Sequence, residues 1–317
     1  MQHRDRYADS ITIFYRFYDS TRNRTLDSSI NDFTTRFPLQ YWMNDLGNFG
    51  TASRSLVFTP VLKSGWDAGF HQYDAINYSI ENSKFFQTTR PYTELSYLLG
   101  SKSEQMVNLL HTQNRNPRFN FAVEYRFSNS PGLYRLQNAS LNNIRFTSHY
   151  QTANKRYESF FVIVSNKNAA SENGGLQSLS QLNSLTLGDP FEALSRLGLA
   201  GTQSRNPFNT TVNTGNIYQT STILYRHQYD FGQKDSIVTD SSVIKLFYAR
   251  LRFQHTLSIS THLYNFRDVN AVDSNYLTYF NYQIPATPTI GVYDTISFKE
   301  KWSIVNNEFS IISFPEK

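Results

Sequence analysis

Apolar and polar side chains alternate through much of this chain. Residues 119 to 128 read FNFAVEYRFS, with Phe119, Phe121, Val123, Tyr125 and Phe127 on one parity. Asn120, Ala122, Glu124, Arg126 and Ser128 take the other. A period of two predicts a strand with unlike faces. By itself it does not choose between a soluble sheet with its apolar side on a core and a membrane barrel with that side in lipid. The alternation predicts further strands over 11–18, 93–99, 143–150, 157–165, 222–231, 248–260, 276–283, 295–305 and 308–314. EQMVNLLH at 104–111 fits a strand or, through Met106, Leu109 and Leu110, a helix. His255 sets a polar ring on the apolar parity of 248–260. FFVIV at 160–164 is apolar on both parities, which implies that part of the polar side is covered.

Length separates the two solvents. Soluble strands usually run about 5–6 residues. Several of these run to ten or so, the length a tilted strand needs to cross a bilayer. Aromatics gather toward strand ends, as in Tyr125 with Phe127, Tyr150 with Tyr157 and Tyr229 with Phe231, which fits interfacial girdles. Composition points the same way. Of 317 residues, 17% are charged and 15% aromatic, with 25 Phe and 21 Tyr, yet mean hydropathy is −0.49. Few charges, many aromatics and no hydrophobic excess suit a wall that is apolar at one residue in two. No run has the length of an apolar transmembrane helix. The start, MQHRDRYADS, lacks the apolar core of a signal peptide. There is no Cys, which excludes disulfides and thiolate metal sites. The net charge of +5 is scattered, densest at NKRYE (154–158), so nucleic-acid binding is not expected.

Two stretches break the alternation. Residues 19–90 are rich in Asp, Ser, Asn, Gly and Thr but hold Phe37, Tyr41, Trp42, Phe49 and Trp66 as anchors, so they are expected to be irregular but folded. The chain then divides into an N-terminal segment, 1–92, with one strand and a plug or periplasmic part, and a strand region, 93–317. Residues 166–219 form a long connection, unusual inside a compact soluble domain. Within it, DPFEALSRLG (189–198) predicts a short helix with Asp189 as N-cap, Pro190 at N1, Glu192 at N3 and Gly198 at its end. Ala193, Leu194 and Leu197 would form its apolar stripe.

FFQTTRPYTELSYLLGS (85–101), HTQN (111–114), FNFAVEYRF (119–127), NSPGLYR (129–135), KRYESFFVIVSNK (155–167) and SENGG (171–175) together resemble the putative porin family of Bacteroidetes. So do DSITIFYRFYDSTRNRTLDSSINDF and LGNFGTASRSLVF (46–58). The resemblance covers roughly residues 9 to 200 well and the rest by pattern. It implies an all-β fold: an antiparallel transmembrane β-barrel in the outer membrane, of which this chain is part or most. It also implies an export signal that is absent here and further strands that complete the barrel, since open edges are not tolerated in lipid.

No catalytic constellation stands out, so an enzyme is not expected, and neither is a cofactor or metal. His255 and His262 are seven apart and would point to opposite faces of a strand. NGG at 173–175 reads as a tight turn. The candidate pore-lining groups are those of the polar parity: Glu124, Arg126, Arg145, Arg226, Gln228, Asp230, Arg250, Arg252 and Gln254. Arginine outnumbers acid in this set, which predicts a weakly anion-attracting lumen. Alternatively, Arg and Glu pair across strands and fill the interior. Asp189, Glu192 and Arg196 are candidates for a constriction made by the long loop. The function implied is passive diffusion of small hydrophilic solutes through an outer-membrane porin-like channel. A plugged barrel that docks other envelope proteins and a soluble all-β binding domain are the alternatives.

Overall fold

The computed structural model describes residues 12–58, 60, 65–132, 136–183, 193–198, 211–239, 242–285 and 294–314. Its main feature is an eight-stranded antiparallel sheet, the wall, in which every strand pairs with its sequence neighbours. The strands are β6 (Tyr92–Leu99), β7 (Gln105–Asn116), β8 (Phe119–Ser130), β9 (Ala139–Gln151), β10 (Tyr157–Ser171), β11 (Thr214–Thr239), β12 (Ser242–Ala271) and β13 (Asp294–Ser313). β6 and β13 are the two edges and do not pair with each other, so the sheet is open. The described residues form few helices, and none is long and apolar enough to cross a membrane.

The N-terminal part is built of short pieces. β1 (Ile13–Phe17) pairs with β2 (Arg24–Thr25) and β5 (Lys84–Thr88), while β3 (Met43–Asp45) pairs with β4 (Ser53–Ser55). A single helical turn, α1 (Phe33–Arg36), is capped by Asp32, whose carboxylate accepts from the backbone N–H groups of Thr34 and Thr35. This region lies along one face of the wall. Tyr18, Tyr78 and Phe85 pack on Phe160, Val162, Val164 and Leu224. Phe49, Tyr73 and Ile76 pack on Met106, Leu141 and Tyr218. The N-terminal segment thus covers the even positions of the doubly apolar FFVIV, Phe160, Val162 and Val164. Of the expected anchors, Phe37 and Phe49 pack at a tilt, 4.9 Å apart, whereas Tyr41 and Trp66 are exposed.

Several expectations about elements are corrected. Of the two readings open for 104–111, the strand holds, from Gln105, the first residue of β7. The predicted strands 295–305 and 308–314 are one continuous strand, because the ladder to β12 runs unbroken past Asn306 and Asn307. Residues 276–283 are not a strand. α2 (Asp273–Phe280) forms there instead, with the Tyr276 and Phe280 rings tilted against each other one turn apart at 5.7 Å. Asn281 ends it in the left-handed conformation (φ 51°), which Asn tolerates. The long connection is shorter than 166–219, since β10 and β11 stay paired out to Ser171 and Gly215. The predicted helix 189–198 is absent over its described part. Ser195 instead bridges to Leu176, and Gly198 has φ +74°; Asp189 and Glu192 lie outside the described residues. NGG does turn, with φ +65° at Gly174 and +91° at Gly175.

The two ends of the wall differ. Pro117–Arg118 and residues 152–156 are tight turns at one end, beyond which the β11–β12 ladder continues. The connections 131–138, 172–213 and 272–293 all lie at the other. The ladder passes a bulge at Phe231/Gly232. There a Cβ on Gly232 would sit 1.9 Å from the Tyr248 carbonyl oxygen, so the two backbones meet only with glycine.

Candidate functional site

Directly paired residues of an antiparallel sheet share a face. The register therefore sorts the candidate residues. Glu124 pairs with Arg145, Arg126 with Asn143, Asp230 with Arg252, and Gln228 with both Glu158 and Gln254. These residues and Arg226 lie on the inner face, the one the N-terminal segment covers. Arg250 stands at the bulge, outside the paired rows, and donates to Gln233 Oε1 at 3.4 Å.

The inner-face groups meet the N-terminal segment largely at its main chain. Arg145 makes a bidentate pair with Glu124 (2.9 and 2.6 Å), then donates to the Ser79 carbonyl and the Asn82 side chain. Arg126 donates to the carbonyl of Ile76 at 3.1 Å, and Asn143 to the same oxygen at 3.0 Å. The Tyr78 ring lies between those two arginines, 4.9 Å from Arg126 and 4.6 Å from Arg145. Asn166 both donates to the Tyr78 carbonyl and accepts its N–H, each at 3.0 Å. Thr147 donates to the Lys84 carbonyl, and Asn168 to Asn77 Oδ1. Because Asn and Arg side chains here satisfy backbone groups as a neighbouring strand would, an irregular segment can be buried without orphaned amides.

The contact extends over the height of the wall. At the tight-turn end, Arg16 of β1 pairs with Glu158, which also binds His149 at 2.7 Å and Gln228 at 2.6 Å. Arg226 lies 3.8 Å over the Tyr18 ring and pairs with Asp19 at 3.0 Å. At the long-loop end, Asn48 donates to the carbonyls of Ser130 and Gln137. Burial holds the Lys84 ammonium below its usual range and pushes the Tyr78 phenol up. Arg252 completes a bidentate pair with Asp230 at 2.7 and 2.8 Å. Arg–acid pairing across strands, one of the two expectations for these residues, therefore holds for Glu124–Arg145 and Asp230–Arg252. Arg196 belongs elsewhere: it donates to the Leu176 carbonyl at 2.8 Å and lies over Tyr279.

The outer face is apolar and open. Leu95, Tyr97 and Leu99 are exposed on β6; Ile223, Tyr225, Tyr229 and Phe231 on β11; Val305, Phe309 and Ile311 on β13. These residues do not follow one row of the sheet. The row through Tyr97 runs Val107, Phe127, Asn142, Lys167, Gln219, Leu263 and ends at Lys301. On β13, however, the apolar group is centred near Phe309. The belt thus slips about four rows, roughly 27 Å, over seven strand spacings, roughly 34 Å, and crosses the strands' perpendicular at about 40°. His255 lies in this belt. It is hydrogen bonded to His227 at 3.0 Å and to Asn307 at 2.7 Å, and stacks on Phe309 at 4.2 Å. His262 is on the inner face, stacked on Trp302, as the spacing of seven requires.

Sequence reasoning missed the partners supplied by residues 76–84, because nothing local marks a main-chain carbonyl as a docking point. No group of three or more His, Cys, Asp or Glu that could hold a metal ion occurs among the described residues. Comparison with protein-family models matches residues 11–316 to the family described as Putative porin. No curated protein and no solved structure matches the chain.

Proposed function

Since the chain belongs to the putative porin family, we propose that it forms a porin-like β-barrel channel of the outer membrane that passes small hydrophilic solutes by diffusion. The oblique apolar belt carries this reading. In a barrel, strands tilt roughly 35–45° from the membrane normal, so a level band of hydrocarbon crosses them obliquely. A slip of about 40° is what such a wall needs, whereas a water-soluble sheet facing a second layer has no reason for it. The Phe121 side then faces lipid and the Glu124 side the lumen. Short periplasmic turns and longer outer loops are the rule for these barrels, which sets the long-loop end outward. The open edges, β6 and β13, require pairing before the wall can sit in lipid.

The clamp on residues 76–84 favours a second reading beside the first, in which the N-terminal segment narrows or plugs the lumen and the barrel serves as a docking component. On the inner face the candidates Arg126, Arg145, Arg226 and Arg252 outnumber Glu124, Glu158 and Asp230, which leaves a small positive balance. Reconstitution in planar bilayers tests both. The expected result is a steady conductance with a reversal potential weakly favouring anions in a salt gradient. Insertion without conductance supports the plugged reading, and a cation-favouring reversal refutes the proposed selectivity. A protein that stays monomeric and compact in detergent-free buffer overturns the membrane assignment.

A further inference from the structure

Successive rows of the outer face, running from β10 to β13, change character in step. Ile163, Ile223, Ile259 and Val305 form an apolar row within the belt. The next row toward the long-loop end is Ser165, Ser221, Thr261 and Ser303. The row beyond it is Lys167, Gln219, Leu263 and Lys301. One row further out Lys299 pairs with Asn265, and in the next Arg267 pairs with Ser297. The face thus passes from hydrocarbon to hydroxyl to cation, each step about 6.8 Å along the strands. Because the belt is oblique, Lys299 and Lys301 stand farther from it than Lys167 does.

The cations of this margin lack what the inner face supplies. There, Arg145 has Glu124, Arg252 has Asp230 and Arg226 has Asp19. From the row of Lys167 out to that of Arg267, the outer face of β10 to β13 holds four cations and no carboxylate. Lys167, Lys299 and Lys301 are exposed and form no ion pair among the described residues. Arg267 donates to the Val212 carbonyl at 2.9 and 2.6 Å, which leaves its charge uncancelled. Lysine on an edge strand serves to block stray pairing, which would account for β13. It does not account for Lys167, which stands on β10 in the interior of the sheet.

We infer that Lys167, Lys299, Lys301 and Arg267 form a patch that binds anionic lipids by their headgroup phosphates, in the leaflet at the long-loop end. The inference rests on the reading of this face as lipid-facing. A lysine at such a margin lays its stem along the apolar rows and keeps its ammonium among the headgroups. Phosphates there supply the negative charge that the wall omits. The apolar rows run directly into the patch, so acyl chains and phosphates of one molecule are met together. A free phosphate engages only the cations, and a zwitterionic headgroup cancels its own charge.

The full chain in neutral maltoside micelles is mixed with diphosphoryl lipid A, phosphatidylglycerol or phosphatidylcholine at one lipid-to-protein ratio. Retained lipid is counted by native mass spectrometry. The anionic lipids should be retained well above phosphatidylcholine. That preference should fall roughly fivefold for each lysine lost in Lys167→Gln, Lys299→Gln and Lys301→Gln. It should survive Lys→Arg at the same three positions, and Lys155→Gln, in the exposed turn at the opposite end, should leave it unchanged. Retention of neither anionic lipid above phosphatidylcholine overturns the proposal, as does a preference that persists in the triple Lys→Gln variant. Displacement of lipid by inorganic phosphate, beyond that caused by chloride at equal ionic strength, overturns the lipid assignment. The same preparation is assayed for insertion into phosphatidylcholine liposomes with and without phosphatidylglycerol. Insertion without a lipid preference refutes the patch alone, whereas failure to insert into either refutes the channel reading and the patch with it.

Discussion

Single residues on the inner face matter through what they hold rather than through their charge alone. Arg145 is almost fully buried, and its guanidinium serves Glu124, the Ser79 carbonyl and Asn82 together. Removing one partner of such a pair strands the other, which typically costs about 3–5 kcal/mol. Arg145→Ala should therefore lower stability by about 3 kcal/mol, read from the urea midpoint in detergent, and Glu124→Gln by less, since an amide can still accept from Arg145. Asp32 gives a second residue-scale expectation. Hydrogen bonds from Thr35 and Thr34 hold its carboxyl down to about 2, against an ordinary value of 3.8. A depressed carboxyl stabilises the folded state above its unfolded pKa and loses that contribution as pH falls through the folded value. Hydrogen-exchange protection of the first turn of α1 should therefore decline between about pH 4 and pH 2, and Asp32→Asn should abolish that dependence. The parity of Glu124, Arg126 and Arg145 was legible because a period of two needs only local sequence. Their partners were not, because Ile76, Ser79 and Asn82 lie some fifty to seventy positions away and act mainly through backbone atoms that carry no sequence signature.

Elements were legible where one face differs from the other. β8, β9 and β12 lie where alternation placed them, although the ladder carries each beyond its alternating core. YLTYFNYQ shows the limit. Its aromatics fit a strand by composition, but Tyr276 and Phe280 also sit four apart, and Asn281 supplies the stop that a helix needs. The described part of DPFEALSRLG, 193–198, errs the other way: its apolar stripe does not make a helix where Ser195 is held in a bridge to Leu176. The oblique belt also belongs to this scale, because it appears only once register is known. It yields a sharp comparison. Val107 and Leu263 lie in one row of the sheet, yet Val107 is inside the belt and Leu263 beyond it. Val107→Arg should cost roughly 2–4 kcal/mol and Leu263→Arg roughly 0–1 kcal/mol in the lipid-refolded protein. Equal costs, measured by equilibrium unfolding in vesicles, would remove the tilt argument.

At the scale of the whole molecule, the proposed channel raises the question whether the N-terminal segment must shift for solute to pass. Asn77 and Asn168 touch across the interface at 2.6 Å, and the chain has no native cysteine. Asn77→Cys with Asn168→Cys, bridged by a short bifunctional thiosulfonate that forms a reducible disulfide to each thiol, therefore gives a single, reversible crosslink between segment and wall. If passage needs movement, the crosslinked protein should conduct several-fold less than the reduced one. Equal conductance would mean that solute passes beside a stationary segment. That residues 19–90 fold was legible from their aromatic content; where they fold was not, because Asp19 meets Arg226 across 207 positions and no local pattern spans such a distance.

The same separation has a temporal side. Wall strands pair with their sequence neighbours and so can zip in the order in which a ribosome delivers them. The segment that covers the inner face is delivered earlier still, before any surface exists to receive it. Its aromatic side chains and amides therefore stay without the partners the wall supplies until β7 to β11 have been made.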